Sequence, residues 1–96
     1  MTIEIKKNAD KTVLEVVGRL DTTTAPALEK TINEDVKDVK NLVLELSGLE
    51  YISSAGLRVL LAAHKKTKGG LKLVGVQELV MEVLEMTGFA DILTIE

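Results

Sequence analysis

Two adjacent hydroxyls, Ser53 and Ser54, open the segment Ser53-Ser54-Ala55-Gly56-Leu57, where an apolar, helix-like run follows directly on a strand-like one. Serine at such a place can cap the helix, act as a nucleophile, or simply lie where the backbone favours negative charge. A cap needs one hydroxyl, and here there are two. A hydrolytic nucleophile needs a base beside it, but the sole histidine, His64, is ten residues along the same predicted helix. That is about 15 Å of helical rise, so a triad is not expected. One histidine with scattered carboxylates offers no metal-ligand spacing, and the chain has no cysteine to act as a thiolate ligand or nucleophile. No phosphate-binding glycine motif of the G-x-x-x-x-G-K-[ST] or G-x-G-x-x-G kind is present. Neither catalysis nor a cofactor is expected.

The rest of the chain must position that turn. Its 96 residues suit one domain spanning 1–96, with a net charge of −3 that argues against a general nucleic-acid-binding surface. No apolar run approaches the ~18–20 residues of a membrane span, and Met1-Thr2-Ile3-Glu4 does not begin a signal peptide. The expectation is a soluble, cytoplasmic protein.

Ile3 and Ile5 alternate with polar residues, and Val13 to Val17 follows the turn Asn8-Ala9-Asp10-Lys11, so two strands are predicted. Gly18-Arg19-Leu20-Asp21 closes the second strand. Thr22-Thr23-Thr24 offers helix caps, Pro26 suits a first turn, and Leu28, Ile32 and Val36 mark one face of the helix. Leu42–46 reads as a buried strand, with 47–52 as the loop leading to Ser53. A helix from Gly56 to about Lys68 ends at Gly69-Gly70, followed by a strand at 71–76. A third helix carries Leu79, Val80, Val83, Leu84 and Met86, with Met81 and Met86 read as core, and ends at Gly88. Residues 92–95 form a last strand. The predicted class is α/β, a small mixed sheet flanked by helices in the order β-β-α-β-α-β-α-β.

At 100° per residue, Leu57, Leu60, Leu61, His64 and Lys68 fall on one side of the central helix, the predicted core stripe. Ala55, Val59, Ala62 and Lys66, with Arg58 beside them, fall on the other side. Small and apolar side chains rimmed by basic ones suit a protein-docking surface; the alternative is that a neighbouring element covers Val59. On the docking reading, Val59→Asp or Arg58→Glu weakens partner binding and leaves the thermal midpoint nearly unchanged.

The run Leu49-Glu50-Tyr51-Ile52-Ser53-Ser54-Ala55-Gly56-Leu57-Arg58-Val59-Leu60-Leu61 resembles the signature of the STAS domain, as found in bacterial anti-sigma factor antagonists. Gly18-Arg19-Leu20-Asp21 resembles that family's second motif, and Thr87-Gly88-Phe89 its third. The resemblance covers essentially the whole chain, in order and spacing. It implies that the serine two residues before the motif glycine, Ser54, is phosphorylated by a partner that is both anti-sigma factor and kinase. The unphosphorylated protein would bind the anti-sigma factor and free the sigma factor, and a phosphatase would reset the phosphorylated form. Many members carry Asp where this chain has Ser53, which makes Ser53 a rival acceptor. Ala55 replaces a common Ser or Thr and removes a competing hydroxyl.

The implied partner surface comprises Gly18, Arg19, Leu20, Asp21, Thr22, Ser53, Ser54, Ala55, Gly56, Arg58, Val59, Ala62 and Lys66. Asp21 also suits an Asx-turn or a cap of the helix that follows. The other readings are a STAS scaffold without a phosphoswitch, in a larger assembly or on a membrane transporter, and a small-molecule or nucleotide sensor.

Overall fold

In the computed structural model, which describes residues 1–8, 10–35 and 40–96, strands β1 (Thr2–Lys7) and β2 (Thr12–Leu20) form an antiparallel pair. Ala9 of the predicted turn and Val36 of the predicted helical face lie outside the described residues. Helix α1 (Ala25–Asp35) follows, then β3 (Leu42–Glu45), β4 (Leu49–Ile52), α2 (Ser54–Lys66), β5 (Leu71–Val74), α3 (Glu78–Met86), a short 3-10 turn at Phe89–Asp91, and β6 (Thr94–Ile95). The sheet runs β1-β2-β3-β5-β6, and every pair after the first is parallel.

Period-two alternation builds the core. Leu14 lies opposite Leu44, and Leu44 opposite Leu73, while Leu42 lies opposite Leu71; all five are fully buried. The intervening Val13, Glu15, Val43, Glu45 and Val74 are only half-buried, and Lys72 is exposed, as expected when alternate side chains point to opposite faces. On the leucine side Leu28 and Ile32 of α1, Leu57 and Leu60 of α2, and Val80 and Leu84 of α3 join the same core. Each buried leucine contributes about 1.5–3 kcal/mol relative to exposure.

The mixed α/β class is as read from the sequence. The structure adds one element, because 49–52 is a strand rather than a loop. β2 is nine residues long, and β3 occupies only its first half. At a register break between Gly18 and Arg19 the chain bends, and β4 takes the place beside its second half, in parallel. Gly18 makes this possible with φ +108°, a conformation that residues with a Cβ rarely adopt. Met86, read as core, is 86% exposed, since α3 turns Val80 and Leu84 inward instead.

Candidate functional site

The pairing of β2 with β4 assembles the site. Its register sets Gly18 against Leu49, Arg19 against Tyr51 and Leu20 against Ile52, so both strands end side by side. The Ser53 N–H donates to the Leu20 carbonyl at 2.9 Å and locks the two exits together. Asp21 and Thr22 leave one strand, Ser53 and Ser54 the other. Motifs more than thirty residues apart in sequence therefore meet at one corner of the sheet, beyond the C-terminal ends of its strands.

The Asp21 turn is tightly bonded. Its Oδ1 accepts from the Thr23 and Thr24 N–H groups at 3.0 and 3.1 Å. Thr24 Oγ1 accepts from the Asp21 N–H at 2.9 Å and donates to the Arg19 carbonyl at 2.8 Å. This is the reciprocal arrangement of a capping box, with Asp21, one of the caps expected here, in the capping role and Thr24 bonding back to it. The Thr24 N–H above all, against the opposing effect of desolvation, holds the Asp21 carboxyl below its ordinary value; the Thr24 hydroxyl, the Thr23 N–H and Arg19 add to the lowering. Arg19 lies over the Tyr51 ring, 4.2 Å from its centroid, with Nε 3.9 Å from Asp21 Oδ2.

The fold thus favours ionised Asp21, and that contribution is complete above the ordinary aspartate value of about 4. It fades as pH falls through the lower value of the folded state. Asp21→Asn keeps an acceptor but loses the charge. Its deficit in thermal midpoint against the parent chain should be largest near pH 7 and shrink as pH drops below about 4. An equal deficit at pH 3 and pH 7 would show that the turn does not favour the carboxylate.

The two serines have different fates. Ser53 stands at the cap position of α2 in extended conformation (φ −104°, ψ 177°) yet makes no side-chain cap hydrogen bond. Its Oγ is buried and has no hydrogen-bond partner. Ser54, the first residue of α2, is exposed. Only one hydroxyl of the pair faces outward.

Helix α2 also corrects the predicted face. Its buried residues are Gly56, Leu57, Val59, Leu60 and Ala63. The core direction is therefore rotated by roughly 90° from the one that the leucines alone suggested. Val59 is 4% exposed, because α1 packs on α2 and places Ile32 and Asn33 beside it, so Val59 is no part of an open docking surface. Leu20 and Gly56 are buried as well, and their places in the predicted partner surface are structural ones. A Cβ on Gly56 would stand 2.7 Å from Leu20 Cγ and 2.9 Å from Ile52 Cγ1; only glycine lets the helix approach the β2–β4 corner so closely.

Of the remaining predicted residues, Arg19, Thr22, Ser54, Arg58, Ala62 and Lys66 are exposed, while Gly18, Asp21, Ser53 and Ala55 are half-buried. Lys66 donates to Asn33 Oδ1 at 3.3 Å, which ties it to α1. The outward stripe of α2 is Ser54, Arg58 and Lys65, flanked by Leu61 and Ala62. Lys65, Leu61 and Tyr51 were missed. Tyr51, the sole tyrosine, sits at an alternating position just before Ser53, a signal the sequence did carry. His64 is half-buried with Nδ1 unpartnered, and no group of three or more metal-binding side chains occurs among the described residues. No helix among them is long and apolar enough to cross a membrane.

Comparison with known proteins identifies what the whole chain is similar to. The chain is 31% identical over 101 residues to an anti-sigma-B factor antagonist of Listeria monocytogenes, covering all of this chain and 89% of that protein. It is 26% identical to the anti-sigma-B factor antagonist of Bacillus subtilis, covering 99% of this chain and 90% of the other. A crystal structure of an anti-sigma factor antagonist from Mycobacterium paratuberculosis superposes with a TM-score of 0.87 at 30% identity, covering 98% of this chain and 83% of that one. The STAS domain family profile matches residues 2–96. With the profile spanning nearly the whole chain and the relatives covered along most of their length, this chain belongs to the STAS domain family.

Proposed function

We propose that residues 1–96 act as a single STAS module, an anti-sigma factor antagonist controlled by phosphorylation of Ser54. The unmodified protein binds an anti-sigma factor through the Asp21 turn and the outward stripe of α2, and so frees the sigma factor. That anti-sigma factor is also the kinase. The γ-phosphoryl group of ATP moves to Ser54 Oγ, the hydroxyl proton passes to the kinase, and ADP leaves. A phosphatase reverses the modification by hydrolysis. The protein itself catalyses nothing and works in the cytoplasm.

One observation carries this reading: at the start of α2 the Ser54 hydroxyl is exposed, whereas the neighbouring Ser53 Oγ is buried. Accessibility favours Ser54 over Ser53 as the acceptor. The relatives named as antagonists support the partner class. The remaining docking residues are Gly18, Arg19, Thr22, Ala55, Arg58, Ala62 and Lys66, with Leu20, Gly56 and Val59 beneath them as support.

The test is incubation with the anti-sigma kinase and ATP, followed by intact mass measurement. The parent chain should gain one phosphate, Ser53→Ala should gain it equally, and Ser54→Ala should gain none. No gain by the parent chain with a kinase active on another substrate would move the assignment to a scaffold without a phosphoswitch.

A further inference from the structure

Arg58 and Ser54 form an i, i+4 pair on the outward stripe of α2, both exposed, 40° apart in azimuth and about 6 Å apart in rise. None of the ion pairs among the described residues uses Arg58. The helix carries no acidic residue at all, from Ser54 to Lys66, so nothing on its own surface neutralises this cation. A cation in the first half of a helix opposes the helix dipole, and here no first-turn acid offsets it. Arg19, the other guanidinium near the turn, is already committed to the Tyr51 ring and Asp21.

We propose that Arg58 is the internal receiver of the phosphoryl group. When Ser54 carries phosphate, the Arg58 guanidinium pairs with it across one turn of α2. This rests on the reading of Ser54 as the phosphate acceptor and adds a second arm to the switch. Modification places negative charge before the partner and at the same time withdraws Arg58 from the docking stripe. The geometry favours it, since an anion four residues N-terminal to a cation is the better orientation on a helix. The guanidinium fork also matches two phosphate oxygens, which a lysine ammonium does not. The phosphorylated domain is then more stable than the unmodified one.

The experiment needs no kinase. Phosphoserine is installed at position 54 during synthesis of the full chain, in the parent and in Arg58→Gln, Arg58→Lys and Arg19→Gln backgrounds. The second ionisation of the phosphate is followed by ³¹P NMR against pH, with the urea-unfolded chain as reference. The midpoint in the parent should lie about 0.2–0.4 pH unit below that of Arg58→Gln, the shift that a helical ion pair of ordinary strength produces. Arg58→Lys should recover part of the difference, and Arg19→Gln should match the parent. The rise in thermal midpoint on phosphorylation should be smaller in Arg58→Gln than in the parent. Equal midpoints in the parent and Arg58→Gln, or a shift caused by Arg19→Gln instead, would overturn the pairing. Because the phosphate is supplied chemically, these outcomes stand apart from the kinase assay, which alone decides whether Ser54 is the acceptor.

Discussion

Ser54→Asp should lower affinity for the anti-sigma factor by about a hundredfold or more while the domain stays folded. A single added charge facing an acidic group about 4 Å away costs around 4 kcal/mol at an effective dielectric near 20. Even part of that is a loss of a hundredfold to a thousandfold. The same charge on the host sits at the first residue of a helix, where it is favoured by about 0.3–1 kcal/mol. Ser54 is exposed, so the carboxylate stays hydrated and displaces nothing. Calorimetric titration of the parent, Ser54→Ala and Ser54→Asp against the anti-sigma factor separates charge from the loss of a hydroxyl. Ser54→Ala should bind nearly as the parent does. Equal affinities for all three chains would sink the idea that charge at this corner controls the complex. Phosphate, with roughly −1.5 to −2 charges, should act more strongly than aspartate.

The second large effect is on stability. Val59→Asp should unfold the domain or lower its thermal midpoint by roughly 15–30 °C, whereas Arg58→Glu should leave the midpoint nearly unchanged. Val59 is 4% exposed on the face of α2 that α1 covers, and the one cation lining the same cavity, Lys66, is exposed and bonded to Asn33. Burying an unpaired charge, or raising its pKa until it neutralises, costs on the order of 4 kcal/mol. For a domain of this size each kcal/mol corresponds to about 4–8 °C. Total stability of such domains is only about 5–15 kcal/mol, so the loss is a large fraction of it. Arg58, one residue earlier, points outward, and its replacement disturbs no packing. Differential scanning calorimetry of the pair decides the matter: a midpoint for Val59→Asp within a few degrees of the parent would mean that α1 does not cover this helix. The expectation that Val59 and Arg58 would behave alike came from a helical phase that the structure corrects.

That correction shows where sequence patterns mislead. Three leucines in α2 draw the apparent core toward themselves, yet Leu61 is only half-buried while Gly56 and Ala63 face inward. A hydrophobic pattern gives little weight to small residues. Close approach of a helix to a sheet or to another helix selects them, and only the packed partner reveals that. Met86 errs the other way: its type and spacing suit the core, yet it is 86% exposed, because Val80 and Leu84, one turn apart, already fill the α3 contact.

The residues alone determined the α/β class, most element positions, the glycine ends of the helices and the serine pair as the richest chemistry, since these follow from local periodicity and from backbone freedom. They also carried the Asp21-x-x-Thr24 spacing that closes the first turn. The tertiary structure decided which serine is reachable, that 49–52 is a strand beside the second half of β2, and that Arg19, Asp21 and Ser54 share one corner. Each of these is a relation between segments distant along the chain, fixed by a register break at Gly18 and by the packing of α1 on α2. Such relations depend on which surfaces meet, and no window along a single strand or helix contains that information.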